Sequence, residues 1–256
     1  MTKQYSAGTP GREGRRPSVW LPAGACKAAL AAVDGVAGLL VEVGVPANAV
    51  TLGSIVLGLL AGLLVGFGRF GPAAVALGIA SLGDAIDGAV ARRAGAVSIG
   101  GALLDASGDR YQELFFLGGA AVYFRASAVA LVATLLAIGG SFMVSYGSAK
   151  AEALHVPVPP GAMRRTERAV CLFLGTMLSS WFARTAAASA VAPGWMPGLP
   201  LVAAVVVVAT VANASAVRRL MMLARAASPM ARPVRISVRP SVTERAGKRE
   251  EGRLVW

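Results

Sequence analysis

The 256-residue chain is 55% hydrophobic and only 15% charged, with a mean hydropathy of +0.63, where soluble domains carry about a quarter charged residues. These values exclude an ordinary water-soluble enzyme and predict an integral membrane protein of one domain. A formal net charge of +12 can mark a nucleic-acid binder, but no soluble basic face or reading module accompanies it, so no nucleic-acid partner is expected.

Residues 1–21, beginning "MTKQYSAGTPGREGRRPSVW", are polar and rich in Gly and Pro, with no apolar run or cleavage site. They read as a disordered cytoplasmic leader rather than a signal peptide. Residues 22–43 are rich in Ala, Leu and Val, with Lys27, Asp34 and Glu42 spaced along them. This pattern predicts an amphipathic helix, either lying in the membrane interface or packed on the bundle.

Six apolar stretches follow, at residues 49–67, 70–91, 101–124, 126–149, 169–187 and 201–217. Each approaches the roughly 20 residues that cross a bilayer. The expected architecture is therefore an all-α integral membrane protein of about six transmembrane helices preceded by an interfacial amphipathic helix. The membrane domain would cover residues 22–225, leaving residues 226–256 as a basic, disordered cytoplasmic tail attracted weakly to anionic headgroups. Cys26 and Cys171 belong to no spacing motif and read as packing residues. Trp181 and Trp195 suit the outer interface, and the lone His155 suits the protein surface.

Charge sets the orientation. If the amino end is cytoplasmic, the inner connections hold Arg92, Arg93, Lys150, Arg164, Arg165 and Arg168, and the basic tail joins them. The outer face receives only Arg69, Arg125 and Arg184. The positive-inside rule then places both ends inside a plasma or inner membrane.

That orientation brings Asp84, Asp87, Asp105 and Asp109 to the cytoplasmic ends of the second and third spans. Between residues 43 and 151 the only other acid is Glu113, which suits either orienting a neighbour or pairing with Arg110 and is left outside the site. Asp84 and Asp87 are three residues apart and Asp105 and Asp109 four, so each pair occupies one helix face. One Asp at a membrane centre costs about 2.5–3.5 kcal/mol on an insertion scale. Converging carboxylates also repel one another. Divalent cations answer both penalties, since oxygen ligands suit Mg²⁺ and Mn²⁺, and a two-metal site clamps a phosphate. The plainer alternative is a set of structural ion pairs with Arg92, Arg93 or Arg110.

Residues 84–109 contain Asp84, Asp87, Gly88, Ala91 and Arg92, then, after eight residues, Gly101, Asp105 and Asp109. This resembles the signature of the CDP-alcohol phosphatidyltransferases, D-x-x-D-G-x-x-A-R-x8-G-x-x-x-D-x-x-x-D, with every fixed position met. The likeness extends from about residue 46 to 219, and "PANAVT", with Asn48 and Thr51, is similar to the entry to the family's first span. The resemblance implies two Mg²⁺ or Mn²⁺ ions held by Asp84, Asp87, Asp105 and Asp109. It implies a CDP-diacylglycerol site including Gly88, Ala91, Arg92, Gly101, Asn48 and Thr51. It makes Asp109 the general base, deprotonating an acceptor hydroxyl that attacks the lipid-bearing phosphorus and expels CMP. It also suggests a homodimer in the lipid bilayer.

The acceptor would be a small polyol or polyol phosphate. Lys150, Arg164, Arg165, Arg168, Arg218 and Arg219 are candidate acceptor-phosphate ligands at cytoplasmic helix ends. The stretch "SYGSAKAEALHVPVPPGAMRRTERAV" is similar to the loop of inositol-phosphate-using members, which reads S-Y-x-K-A-R-A-E and then R-P-E-R. Ser148 stands where the lysine is usual, Lys150 where the arginine is, and Thr166 where the proline is. Inositol phosphate is placed slightly ahead of glycerol 3-phosphate. The rival readings are an intramembrane prenyltransferase, which also uses aspartate-rich helices to hold a pyrophosphate, and a cation or proton transporter with buried carboxylates.

Overall fold

A computed structural model of the chain describes residues 23–157, 162–188 and 196–227. The leader, nearly all of the tail, and Trp195 lie outside the described residues. Among those described there are seven long helices: α1 (Ala23–Glu42), α2 (Ala47–Gly66), α3 (Phe70–Arg93), α4 (Ile99–Tyr123), α5 (Ala128–Ala153), α6 (Arg165–Ala188) and α7 (Leu199–Ala227). Five of them, α2, α3, α5, α6 and α7, are long and apolar enough to cross a membrane. The 25-residue α4 is equally long, and differs because it carries Asp105, Asp109, Arg110 and Glu113. It completes the six-helix bundle.

Local signals set the boundaries. Ser98 caps α4 by accepting a hydrogen bond from the Gly101 N–H at 3.0 Å, and Ser127 begins α5 the same way. At α6 the Glu167 carboxylate reaches back to the Arg164 N–H at 3.0 Å, one half of a capping box. Gly95, at φ 62°, ends α3 in the left-handed region and so shapes the turn toward α4. The buried N–H of Leu201, an otherwise unpaired donor at the start of α7, is accepted by the Ser179 hydroxyl of α6 at 3.1 Å.

Three boundaries differ from those expected of the apolar runs. Helix α5 continues to Ala153, α6 begins at Arg165 instead of residue 169, and α7 runs ten residues beyond residue 217. Hydropathy marks where the hydrocarbon ends, whereas the backbone stays hydrogen-bonded in helix past that boundary. Lys150, Arg165, Arg168, Arg218 and Arg219 are consequently helical rather than loop residues.

Helix α2 is the axis of one half, with α3 and α4 packed along it, while α3 and α4 barely touch. The short loop between α3 and α4 thus does not pair them directly; the two helices are joined through a third. Helices α5 and α7 pair in the other half; α6 bridges α7 and α3. Small residues make the central contact. A Cβ on Gly119 of α4 would lie 1.9 Å from the Gly62 carbonyl oxygen of α2, and one on Gly62 would lie 2.2 Å from the Phe115 carbonyl oxygen. Close backbone approach of this kind is how helices associate where lipid removes the hydrophobic drive between them.

The core runs through Ala61, Val65, Phe116, Leu117, Leu201 and Val208, while Leu59, Leu63, Val75, Leu135 and Leu178 are exposed, as lipid-facing positions should be. Helix α1 packs across the end of α3, burying Ala37 against Ala89 and Val90. Asp34 forms a two-point ion pair with Arg93, at 3.0 and 2.5 Å, and this guanidinium holds the Asp34 carboxyl below its ordinary range. The other face of α1, including Val36 and Leu39, stays open, so α1 is both packed on the bundle and free to meet the interface.

Candidate active site

The site lies where the last turns of α3, the first half of α4 and the start of α6 meet over the beginning of α2. Glycines let the helices close here: a Cβ on Gly83 would come within 2.0 Å of Ser54 Oγ, and one on Gly108 within 2.9 Å of Ile55 Cδ1. Three of the four carboxylates are met by a donor from another element. Asp87, 4% exposed, accepts from the Thr51 hydroxyl at 2.7 Å. Asp84 accepts from the Gln112 amide at 2.9 Å and from Arg165. The same Arg165 Nη2 stands 2.7 Å from Asp109 Oδ1. Arg110 reaches Asp109 only at 3.8 Å. Asp105 stands within electrostatic reach of the other three aspartates.

Beside the carboxylates opens a cavity of about 190 Å³, lined by Asp109, Ser148, Arg164, Arg165, Arg168 and Arg219 among others. Its floor is fixed by a buried ion pair: Arg168 donates from Nε and Nη2 to both Glu113 oxygens, at 2.6 and 2.8 Å. Nη1 of the same guanidinium donates to the Met163 carbonyl at 2.8 Å. Met163 adopts φ 59°, a conformation unusual for a residue with a side chain, and this contact together with its burial holds it there. Of the two roles expected of Glu113, the pairing with Arg110 is not formed; it pairs with Arg168, because α6 starts a turn earlier than its apolar run and brings that guanidinium down to α4.

The remaining sequence candidates divide. Arg165 and Arg168 line the cavity; Lys150 and Arg218 do not, both being exposed. One residue is a 100° turn of helix, so it is Arg219 of α7 that faces inward and donates to Ser148. Arg92 is exposed at the end of α3, Asn48 is exposed at the start of α2, and Ala91 and Gly101 are half-buried. A Cβ on Gly88 would meet only Arg92, at 3.2 Å. Thr51 turns to Asp87 rather than outward. Sequence reasoning missed Gln112, an amide four residues from Gly108 that sits beside Asp109, Arg110 and Glu113 and is less conspicuous than these charges. His155 is exposed, as expected.

On the lipid side, a larger apolar groove of about 980 Å³ runs between α2, α3 and α6, lined by Leu57, Leu60, Val75, Ile79, Leu82 and Phe173 among others. It ends two residues short of Asp84.

The sequence profile of the CDP-alcohol phosphatidyltransferases matches residues 45–208. The chain belongs to this family. Membership sets aside the prenyltransferase and transporter readings and agrees with an integral membrane protein. The chain is 35% identical over 160 residues to a phosphatidylinositol phosphate synthase of Corynebacterium glutamicum, an alignment covering 60% of this chain and 72% of the relative. It is 34% identical over 109 residues to an archaetidylinositol phosphate synthase of Pyrococcus horikoshii, covering 42% of this chain. That match spans little more than half of the Pyrococcus protein, 56% of its length. The fold is similar to that of the Mycobacterium tuberculosis phosphatidylinositol phosphate synthase with CDP-DAG bound, at TM-score 0.61 and 26% identity, covering 74% of this chain and 92% of that one. The structure of the same synthase with manganese and citrate gives TM-score 0.63, also at 26% identity, covering 75% and 88%.

Proposed function

We propose that this family member transfers a phosphatidyl group from CDP-diacylglycerol to a phosphorylated polyol, with inositol phosphate ahead of glycerol 3-phosphate, and releases CMP. The observation that carries the reading is the adjacency of four signature aspartates, an arginine-lined cavity and an apolar groove. With divalent cations on the aspartates, they match in chemistry a pyrophosphate, an acceptor phosphate and acyl chains.

The donor set fits hard divalent cations: it is oxygen-only and drawn from two helices, and Asp109 Oδ1 is buried with an Arg165 ion pair but no hydrogen bond. Among the described residues no three acidic, His or Cys side chains close on a single point, since the Arg165 guanidinium lies between Asp84 and Asp109. Asp84, Asp87, Asp105 and Asp109 would hold two Mg²⁺ or Mn²⁺ ions, which supply charge neutralisation for the pyrophosphate when bound. Asp109 borders both the carboxylate cluster and the cavity, so it is placed to take the proton from the acceptor hydroxyl. The acceptor oxygen then bonds to the lipid-bearing phosphorus as the bond to CMP breaks. Gly88, Ala91, Gly101 and Asn48 border the nucleotide side in this reading. Arg92 offers a forked donor to a phosphate oxygen.

A phosphorylated acceptor is supported by the cavity's cations. Ser148 removes the positive charge that inositol-phosphate-using members carry at that position, but Arg219 reaches the Ser148 hydroxyl and returns a guanidinium to the same wall. Lys150 and Arg218, outside the cavity, serve at most to attract anions to the face. The names of the Corynebacterium, Pyrococcus and Mycobacterium relatives support inositol phosphate.

In this reading the site faces the cytoplasm, because α2 and α4 begin, and α3, α5 and α7 end, at the arginine-rich end. The protein works in the cell's inner or plasma membrane as a homodimer.

The test incubates the purified protein with CDP-diacylglycerol, Mg²⁺ and a panel of acceptors while CMP is measured. Release is expected with inositol phosphate and not with free inositol or serine. No release with any acceptor would reject the reading. Asp109→Asn should bind CDP-diacylglycerol with ordinary affinity yet lose turnover by at least about a hundredfold; a retained rate would remove Asp109 from the role of base.

A further inference from the structure

Arg165 and Arg168 share one face of the first turn of α6, but they are held very differently. The Arg168 side chain is 3% exposed and donates from all three of its nitrogens, to Glu113 and Met163. Arg165 is 39% exposed, and its contacts with Asp84 and Asp109 are made through Nη2 alone. A guanidinium binds a carboxylate best through two parallel N–H donors. One nitrogen straddling two carboxylates from different helices does not use that geometry. Arg165 also lines the cavity, whereas Asp84 does not. Its side chain thus stands in the wall between the two compartments.

We propose that Arg165 is a displaceable counter-ion that couples cation loading to assembly of the acceptor anion site. The inference rests on the metal-binding reading above. Asp84 Oδ2 and Asp109 Oδ1 cannot serve both the guanidinium and a divalent cation. Cations and Arg165 are therefore competing occupants of one carboxylate cluster. Loading expels the guanidinium into the neighbouring cavity, where it joins Arg164 and Arg219 facing an acceptor phosphate. Unloaded protein keeps Asp84 and Asp109 partly neutralised by one guanidinium and lacks one phosphate donor. Loaded protein gains that donor at the moment the nucleotide-lipid pyrophosphate has somewhere to bind. Arg165 acts through these contacts as a positioning residue; it makes and breaks no bond in the transfer.

The experiment measures Mn²⁺ binding to full-length protein in detergent by the loss of the free-ion electron paramagnetic resonance signal. Wild type is compared with Arg165→Met and Arg165→Lys. A competing internal occupant lowers apparent affinity by the fraction of time it holds the site, so Arg165→Met should bind Mn²⁺ about tenfold more tightly. It should also melt at lower temperature after chelation. Arg165→Lys keeps the charge on a shorter stem that cannot straddle both carboxylates, and it too should bind Mn²⁺ more tightly than wild type. A Lys variant indistinguishable from wild type would reduce the effect to simple charge repulsion and overturn displacement. A structure with Mn²⁺ and inorganic phosphate should show the guanidinium turned from Asp84 and Asp109 toward the phosphate. A guanidinium still on both carboxylates would also overturn the proposal. Failure of the metal reading itself gives a different result: wild type would show no Mn²⁺ binding that Asp84→Asn abolishes.

Discussion

At the scale of single residues, two side chains outside the aspartate signature do most to fix the site. Gln112 is 6% exposed and donates to Asp84, orienting one oxygen of a proposed metal ligand. Partners of this type typically contribute about 10–100-fold to metal affinity. Gln112→Leu should weaken Mn²⁺ binding by about tenfold while far-UV circular dichroism stays unchanged; an unaltered binding isotherm would leave the amide a packing role only. Glu113 carries a larger structural load. Removing one partner of a buried ion pair strands the other, at a cost of about 3–5 kcal/mol, so Glu113→Ala should lower the melting temperature sharply. A well-packed apolar replacement of both partners is often nearly neutral. The double variant Glu113→Leu with Arg168→Leu should accordingly recover much of the stability, while losing phosphate affinity through the missing cavity wall. A double variant no more stable than the single one would show that the pair also holds Met163 and the start of α6 in place.

At the scale of helices, the decisive contact is the backbone approach of α2 and α4. It carries no side-chain chemistry, yet it sets how far Gln112 and the aspartates of α4 stand from α3. Gly119→Val would drive methyl groups into the Gly62 carbonyl, for which no rotamer provides relief, and should separate the helices. The expected result is loss of folded protein on size-exclusion chromatography. Gly118→Ala is the control, since a Cβ there meets nothing within 4 Å; in a helix interior the Ala variant should be neutral or slightly stabilising. Equal damage from both would mean that the helix face, not the close approach, matters. The ends of α5, α6 and α7 follow the same lesson from the other direction. The last turns of α5 and α7 and the first turn of α6 extend beyond the apolar runs, so that Ser148, Arg165, Arg168 and Arg219 wall a cavity rather than a loose loop.

At the scale of the whole molecule, the fold sorts function by depth. Apart from Arg184, the charged groups of α3 through α7 gather at one end of the bundle, the apolar groove lies below them, and lipid-facing Leu and Val cover the outside. Helix packing draws on Gly62, Gly119, Phe116, Leu117 and Leu201, none of them one of the signature aspartates or a partner of one. Chelation should therefore abolish CMP release without unfolding the protein, and Mg²⁺ or Mn²⁺ should restore it. Loss of helical content on chelation, followed by circular dichroism, would show instead that cations hold the bundle together.

The class of fold, the number of long helices and the aspartate cluster were legible from sequence, because each depends on local composition or on spacing within one or two helices. The Gly, Ala-Arg and paired Asp positions sufficed to state the family resemblance before any contact was known. What only the tertiary structure decided was which cation faces which anion. That choice depends on helix rotation, on where a helix continues past the hydrocarbon boundary, and on how closely glycines let backbones meet. Arg219 in place of Arg218, Arg168 with Glu113, and Arg165 astride Asp84 and Asp109 all join elements more than 50 residues apart in sequence. No local pattern encodes such a meeting, since a shift of one residue turns a helical side chain about 100°.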